Sequence, residues 1–533
     1  MLFAWFTCSF VLLSFSLLSI VTRILSKWSA FSVGAMSIFV NNQKLNLDTP
    51  TAACTFGSTE TVLQFLRRNG LTGTKEGCAS GDCGACTVMA GTATDGEIEY
   101  RTINACIAPI GQYVDQHLVT VEGLASNDDL HPAQQAMVAC HGSQCGFCTP
   151  GFVMSLAAMV EYPPQNIDAA SVREGISGNL CRCTGYRPIV EAGLQALKEG
   201  SSGIVKRLSG ETALNNISES SATSVLRPNN FVELNLVLNE AQGAKLIAGG
   251  TDLMLEVTQR YQQFPLIDVT GVQQMQVLAQ GDSETTIGAA VSYTRLEAFF
   301  AERSPETVKL LHRLGSRQIR NNGTVGGNLA NGSPIADMPP ILLVWDAVIE
   351  VGASNGSTRQ VPVSDFYKGY RQTVLGNNEY IISVSIPNAS MARFHRFYKN
   401  SKRIEDDISA VMGAFSFQLE EGVIVIARVA FGGMAATPVR LEAVESVLVG
   451  QACSDKLIEN ATLLAGELLK PMTDVRASAD YRSAMALQML VKALRQLNGE
   501  PLIDITEIGS SELRSAELNG PEFDSTHDMG PVS

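Results

Sequence analysis

Short alternating apolar and polar runs dominate the chain from residue 37 to about residue 123. Brief apolar segments are separated there by turn residues, a pattern that predicts strands. The run "SIFVNNQKLNL" predicts a hairpin around Asn41-Asn42, because two short apolar segments flank a two-residue turn. One stretch differs. "TETVLQFLRRNG" places its apolar residues on one side and ends at Gly70, which predicts a helix.

The pattern becomes helical between about residues 130 and 199. Two segments there, "PGFVMSLAAMVEY" and "PIVEAGLQALKEG", begin with proline, which the first turn of a helix tolerates. Farther along, strands and helices alternate around two glycine-rich loops, and a second set of strands precedes a closing helix, "DYRSAMALQMLVKALRQL". These changes predict a multidomain α+β chain with the following parts: an apolar N-terminal segment (1–35), two small domains (36–123 and 124–199), a linker (200–225), a larger domain (226–384), a C-terminal domain (385–500) and a tail (501–533).

The first 22 residues carry no charge and are long enough to span a bilayer. Arg23 and Lys27 follow this run, so a membrane anchor would leave the rest of the chain in the cytoplasm. The alternative is an overextended start, since Met36 opens a domain that begins directly with a strand. We expect the second case, and therefore a cytoplasmic protein without a membrane anchor.

Charge and cysteine content narrow the function classes. The chain of 533 residues has a formal net charge of −14, which argues against a protein that tracks nucleic-acid phosphates. Nine of its twelve cysteines lie between Cys78 and Cys183. Clustered cysteines in a large chain favour a metal site over a disulfide framework.

The first cysteine set is "GCASGDCGACTV", which holds Cys78, Cys83 and Cys86 and is followed by Cys106. The C-x4-C-x2-C…C spacing is that of plant-type [2Fe–2S] ferredoxins. Its glycines would let backbone N–H groups approach an anionic cluster. Disulfides, chance and a structural zinc site are the alternatives, although zinc prefers paired C-x2-C knuckles.

The second set consists of Cys145 and Cys148 in "QCGFCTPG" and of Cys181 and Cys183 in "CRCTGYRP". Each pair precedes a predicted helix with proline in its first turn. Both helix N-termini would therefore direct partial positive charge towards the thiolates. The pattern predicts a second cluster held between two helix starts.

Together these motifs resemble the iron–sulfur part of the xanthine dehydrogenase and aldehyde oxidase family of molybdenum hydroxylases. The resemblance implies a β-grasp plant-type ferredoxin domain over residues 36–123 and a four-helix [2Fe–2S] domain over residues 124–199. It also implies that Gln144, just before Cys145, lies near the pterin of the molybdenum cofactor.

Two glycine-rich loops, "KLIAGGTDLMLEV" and "IRNNGTVGGNLANGSPIADMPPILL", leave backbone donors open to a diphosphate. Either loop alone is also compatible with tight turns in a packed domain. Together they resemble the FAD domain of the same family, which has the vanillyl-alcohol-oxidase-type (PCMH-like) fold. By this resemblance the FAD contacts are Lys245, Leu246, Ile247, Ala248, Gly249, Gly250, Thr251, Asp252, Leu253, Thr324, Gly327, Asn328, Asp337, Ile381 and Lys399.

Two further positions concern the electron acceptor. Tyr370 in "KGYRQT" and Asp406 in "RIEDDIS" match family residues near the flavin face where the nicotinamide of NAD docks. For Asp406 the alternative is a solvated acidic run.

The resemblance implies the iron–sulfur/FAD subunit of a split xanthine dehydrogenase. Electrons would pass from a molybdenum site on a large partner subunit through the helical-domain cluster and the ferredoxin-type cluster to FAD and then NAD⁺, during oxidation of hypoxanthine and xanthine. We expect a heterotetramer and no hydroxylation centre on this chain, because the sequence contains no counterpart of the family's large molybdenum domain. Two alternatives stay open: a subunit of another hydroxylase that oxidises an aldehyde, nicotinate or a different heterocycle, and a free-standing electron carrier or zinc-bound interaction module.

Overall fold

The computed structural model describes residues 37–47, 59–94, 96–114, 116–125, 129–208, 227–241 and 243–501. The predicted N-terminal segment, most of the predicted linker and nearly all of the predicted tail lie outside these residues. None of the helices in the described segments is long and apolar enough to cross a bilayer.

The first domain is a five-stranded mixed sheet crossed by one helix. Its elements are β1 (Ser37–Val40), β2 (Gln43–Asn46), α1 (Val62–Arg68), β3 (Thr87–Thr94), β4 (Glu97–Asn104) and β5 (His117–Val119), with strand order β2-β1-β5-β3-β4. The predicted hairpin is confirmed, since Val40 pairs with Gln43 and Asn41 has a positive φ of 53°. The predicted helix is confirmed as well. A capping box at Thr61 starts it, and Gly70 follows its end with φ +85°.

The second domain is built from four helices and a short fifth one. They are α2 (Pro132–Ala139), α3 (Thr149–Glu161), α4 (Ala169–Gly175), α5 (Arg187–Glu199) and α6 (Ile204–Leu208). Pro150 and Pro188 occupy the first turns of α3 and α5, as predicted. Helix α6 lies within the predicted linker. It forms there because Val205 and Leu208 are buried against the four-helix core.

The third domain begins after the undescribed part of the linker. Its helices are α7 (Phe231–Glu240), α8 (Leu253–Thr258), α9 (Tyr293–Phe300), α10 (Pro305–His312), α11 (Arg317–Asn322), α12 (Val325–Ala330), α13 (Met338–Val344), α14 (Val363–Phe366) and α15 (Asn388–Met391). Its strands are β6 (Lys245–Ile247), β7 (Leu266–Asp268), β8 (Leu278–Gln280), β9 (Glu284–Gly288), β10 (Val348–Ala353), β11 (Thr358–Pro362), β12 (Tyr367–Gly369), β13 (Gln372–Thr373) and β14 (Glu379–Pro387). Strands β6 and β7 form a small parallel pair, whereas the main sheet is antiparallel with order β11-β10-β14-β9-β8.

The C-terminal domain is an antiparallel meander covered by helices. Its elements are β15 (Phe394–Asn400), β16 (Val411–Glu420), β17 (Val423–Gly432), β18 (Val439–Arg440), α16 (Glu442–Leu448), α17 (Asp455–Leu468) and α18 (Ala479–Leu497). Buried Phe415, Phe417 and Phe431 fill the space between the sheet and the helices, and each contributes about 1.5–3 kcal/mol. Helix α18 is the predicted closing helix.

Candidate functional site

The structure brings all four cysteines of the first set together. The thiols of Cys106 and Cys83 lie within hydrogen-bond reach of Cys78 and lower its pKa. The contacts of Cys106 with Cys78 and Cys86, together with burial, raise the pKa of Cys106 well above its usual range. Four neighbouring thiols are the ligand set that a [2Fe–2S] cluster takes.

The glycines around this group are required by close approaches. A Cβ atom at Gly77 would lie 2.7 Å from the sulfur of Cys83. Gly84 has φ +62°, and a Cβ there would lie 2.0 Å from a carbonyl oxygen of the second domain. The backbone N–H of Ser80 donates to the sulfur of Cys78 at 3.4 Å. The loop therefore wraps the thiols with backbone, and this surrounding fits an iron–sulfur cluster.

The second set also comes together. Cys145 and Cys183 lie within hydrogen-bond reach of each other, and so do Cys148 and Cys181. Burial and the neighbouring Cys181 raise the pKa of Cys148 to about 12, whereas the Phe147 N–H lowers that of Cys145. Cys148 is the residue just before α3, at the N-terminus of that helix, whereas α5 begins four residues after Cys183. That both helix N-termini are directed at the four thiolates stays a prediction.

The second cysteine group lies at the protein surface. Cys145 and Cys183 are both exposed, and Gln144 beside them is exposed too. In the described part of the chain, no three His, Cys, Asp or Glu side chains already enclose a metal position. The assignment of individual ligands therefore remains a prediction.

The two cysteine groups are directly linked through the backbone. The N–H of Leu180 donates to the carbonyl of Cys83 at 2.9 Å. A Cβ at Gly151, in the first turn of α3, would lie 2.1 Å from the carbonyl of Gly84. The loop of the first group thus packs on the helix start of the second.

The two glycine-rich loops of the third domain meet in space. A Cβ at Gly249 would lie 1.9 Å from the carbonyl oxygen of Asn322. On the other side, the Arg371 guanidinium reaches Asp252 and Asn331, each at 3.3 Å. The two loops therefore lie against each other, and we call the region between them the predicted FAD cleft.

Polar groups of the second loop point to a ligand in this cleft. The Thr324 hydroxyl accepts from the N–H of Gly327 at 3.1 Å and starts α12. The side-chain oxygen of Asn328 is buried and has no hydrogen-bond partner among the residues that the structure describes. Since buried polar atoms are normally paired, this orphan acceptor and the glycine-lined cleft fit a bound polar cofactor such as FAD.

Asp337 and Lys399 form a buried ion pair at the end of the second loop. The Lys399 ammonium donates to Asp337 at 2.8 Å and to the carbonyl of Arg313 at 2.8 Å. The Ser409 hydroxyl donates to the other Asp337 oxygen at 2.5 Å. These two predicted site residues, 62 positions apart, are thus joined by the packing of the third and fourth domains.

The remaining predicted residues occupy different parts of the cleft region. Ile381 is buried on β14. The carbonyl of the next residue, Ile382, accepts a hydrogen bond from the backbone N–H of Ala289, and Ala289 packs against Gly326 in the second glycine-rich loop. Tyr370 is 60% exposed, in the turn that carries Arg371. Burial, and after it the Asp82 carboxylate of the first cysteine loop, raise the pKa of Asp406 to about 7.

Two glutamines connect the first domain with the third, and the sequence patterns did not reveal them. Gln112 of the first domain donates to the carbonyl of Ala248, within the first glycine loop, at 2.8 Å. Gln259, which follows α8, donates to the carbonyls of Cys78 and Ala79 at 3.2 and 2.9 Å. A lone glutamine carries no spacing signal, so only the tertiary structure identifies these contacts.

Four known domain families match the chain in order. They are the 2Fe-2S iron-sulfur cluster binding domain (residues 45–111), the [2Fe-2S] binding domain (120–194), the FAD binding domain in molybdopterin dehydrogenase (219–389) and the CO dehydrogenase flavoprotein C-terminal domain (396–497). The predicted fold class is confirmed.

Similar curated proteins include xanthine dehydrogenases. That of Drosophila subobscura is 31% identical over 92% of this chain and 41% of its own length. That of Emericella nidulans is 33% identical over 76% of this chain and 35% of its own. Among solved structures, a reconstituted CO dehydrogenase chain from Oligotropha carboxidovorans is 26% identical over 52% of this chain and 97% of its own, with a TM-score of 0.49. The chain spans about 41% of the first of these relatives.

The domain order and the relatives confirm the family that the cysteine motifs predicted. They identify an electron-transfer module of an oxidoreductase, with two [2Fe–2S] binding domains and one FAD-binding domain. The chain belongs to the molybdenum hydroxylase family, as its iron–sulfur and FAD portion.

Proposed function

We propose that the chain is the electron-transfer subunit of a xanthine dehydrogenase, which passes electrons from a molybdenum site on a partner subunit through two [2Fe–2S] clusters to FAD and on to NAD⁺. The similarity to xanthine dehydrogenases supports purines as the substrates. The match to a CO dehydrogenase flavoprotein domain keeps another hydroxylase substrate as the second candidate.

One observation carries the proposal: the three candidate sites contact one another in series. The second cysteine group touches the first through the Leu180–Cys83 hydrogen bond. The first group contacts the third domain through Gln259, just after α8, and Gln112 of the first domain donates to the first glycine-rich loop. This order matches the electron path that the family resemblance implies.

Eight cysteines are the proposed cluster ligands. Bound clusters and FAD would supply one-electron carriers beside a two-electron cofactor, and the protein positions them and tunes their potentials. The backbone N–H groups of the glycine-rich loop and the N-termini of α3 and α5 would stabilise the negative charge of the thiolates. The first ligand set is Cys78, Cys83, Cys86 and Cys106, and the second is Cys145, Cys148, Cys181 and Cys183.

In the FAD cleft, the chain's own residues bind and orient the cofactor. Backbone donors of the loops at Gly249 and Gly327 would bind the diphosphate, and Asn328 offers its unpaired oxygen to a donor of the ligand. The buried Lys399–Asp337 pair would hold the end of the second glycine-rich loop in place. Tyr370 and Asp406 are the proposed neighbours of the nicotinamide.

The surface around the second cysteine group supports a docked partner. Phe147 and Leu180, each about half exposed, flank the exposed Cys145 and Cys183. An apolar rim around exposed thiols is typical of a surface that another protein covers. We propose that the molybdenum-binding subunit covers it and that Gln144 faces the pterin.

The proposal is tested by replacing one ligand of the group nearest the partner. In the complex with its molybdenum subunit, Cys145→Ser should abolish hypoxanthine-dependent NADH formation but retain NADH oxidation with an artificial acceptor that takes electrons from the flavin. Cys140→Ser is the matched control, because Cys140 lies outside both groups and its thiol donates to the side-chain oxygen of Gln195. Purine turnover by the chain without its partner would contradict the proposal, and a panel of aldehydes and heterocycles would identify the second candidate.

A further inference from the structure

A buried polar cluster joins the first three domains at one point. It consists of Thr87 from the first domain, Ser155 and Asn179 from the second, and Gln318 from the third, and we call it the three-domain junction. All four side chains are at most 3% exposed. A group of polar residues so completely buried requires a reason, because burying a polar group costs free energy unless it is hydrogen-bonded.

The hydroxyl of Thr87 is the centre of the junction. It donates to the carbonyl of Gly84 at 2.7 Å and accepts from the side-chain amides of Gln318 at 3.1 Å and Asn179 at 3.3 Å. A hydroxyl offers one donor and two acceptor sites, so all its capacity is used. Thr87 directly follows Cys86, so its orientation fixes the end of the first cysteine loop.

The junction reaches the second cysteine group through Asn179. Its amide also donates to the carbonyl of Gly84 at 3.0 Å, and its oxygen accepts from Ser155 at 2.6 Å. Asn179 lies two residues before Cys181, and Gly84 lies between two cysteines of the first group. The same four side chains therefore hold both cysteine loops.

Gln318 connects this arrangement to the FAD-binding domain. It lies on α11, which ends at the Asn322 carbonyl that contacts Gly249. A Cβ at Gly178 would lie 2.1 Å from the Gln318 side-chain oxygen, so the Gln318 side chain packs directly against the backbone of the second domain. The amide of Gln318 thus links the FAD cleft to both cysteine loops.

We propose that Thr87 and Gln318 are positioning residues that fix the separations among the two clusters and FAD. This inference rests on the proposed function. Apolar side chains of the same shape would fill the space but would not define its geometry, whereas directional hydrogen bonds do. Because electron transfer slows steeply with distance, a small displacement of either loop slows transfer without removing a cofactor.

The test uses Gln318→Leu and Thr87→Val in the cofactor-loaded protein. Thr87→Val keeps the shape of the side chain, so it can be measured even if Gln318→Leu does not fold. Gln360→Leu is the control, because Gln360 is an exposed residue of β11. The measurements are iron and FAD content, the magnetic interaction between the two clusters in the electron paramagnetic resonance (EPR) spectrum of the reduced protein, and the stopped-flow rate at which NADH reduces the clusters.

We expect both variants to keep their cofactors, to show an altered cluster–cluster interaction, and to be reduced on the order of tenfold more slowly. In the double variant, Gln318→Leu/Thr87→Val, NADH should reduce the clusters no more slowly than in the more affected single variant, because each substitution already disrupts the same junction. Wild-type spectra and rates in both variants would overturn the inference and leave the proposed function standing. Loss of iron from both variants would also overturn it, since the junction would then be needed to keep the cysteine loops folded rather than to set the distances between cofactors. Absence of the two cluster signals from the wild-type protein would overturn both proposals.

Discussion

Replacing Lys399 by methionine should destabilise the contact between the third and C-terminal domains strongly. The Lys399 and Asp337 side chains are only 2% and 7% exposed. Methionine fills much of the same volume but removes the positive charge. The Asp337 carboxylate then stays buried, keeping the hydrogen bond from the Ser409 hydroxyl but losing its positive partner. The carbonyl of Arg313 also loses the donor that Lys399 supplies.

The expected cost follows from the charge left behind. Breaking a buried ion pair by removing one partner costs about 3–5 kcal/mol, because the other charge is no longer compensated. The lost hydrogen bond to the Arg313 carbonyl adds about 1 kcal/mol. Asp337→Asn in the same chain removes the stranded charge, so Lys399→Met/Asp337→Asn should be more stable than Lys399→Met alone.

Trp345 reports this region by fluorescence. It is fully buried, and its ring centroid lies 5.8 Å from that of Phe397, two residues before Lys399 on β15. Replacing Trp5 and Trp28 by phenylalanine leaves it as the one remaining tryptophan of the three in the chain. Urea unfolding with saturating FAD then measures the change in unfolding free energy.

The control is Lys456→Met, which removes the lysine of an exposed pair with Glu459 on α17. It should change the unfolding free energy by less than about 1 kcal/mol. A Lys399→Met variant that behaves like this control would refute the reasoning. A Lys399→Met/Asp337→Asn variant that is less stable than Lys399→Met alone would refute it as well.

Three further changes test the loops and the acidic residue beside them. Gly84→Ala should lose iron from both cysteine groups, because its Cβ collides with the facing loop, whereas Gly96→Ala, with φ +85° in open space, should keep it. Gly249→Ala should lower FAD content for the same steric reason, while Gly281→Ala, whose Cβ meets a carbonyl at 3.3 Å, should retain FAD. Because burial raises the pKa of Asp406 from 3.8 to about 7, its protonated form is favoured in the folded protein, and stability should fall as pH rises from about 4 to 7. Asp406→Asn should remove that fall. If the urea midpoints of the wild-type protein and of Asp406→Asn depend on pH in the same way, the raised pKa of Asp406 is contradicted.

Local signals made much of the fold predictable. The hairpin at Asn41 and the helix that ends before Gly70 each depend on turn or cap residues within a few positions of the element. The cysteine spacings are equally local, and the proline-led helices α3 and α5 follow them directly. Such features need no knowledge of distant contacts.

The links between the sites could not be predicted in this way. Gln112 and Ala248 are 136 positions apart, and Gln259 and Cys78 are 181 apart. Such contacts depend on how whole domains pack, and glutamine has no periodic signature. The short helix at Ile204 was predicted as linker for a related reason, since its apolar residues gain stability only by packing on the second domain.

The central claim is that this chain carries two [2Fe–2S] clusters beside FAD. Metal and flavin analysis of the purified protein, combined with EPR spectroscopy of its reduced form, tests it most directly. The account predicts about four irons and about one FAD per chain, and two distinct EPR signals of which Cys83→Ser disturbs one and leaves the other. About two irons per intact chain, or a full complement of zinc, would contradict it.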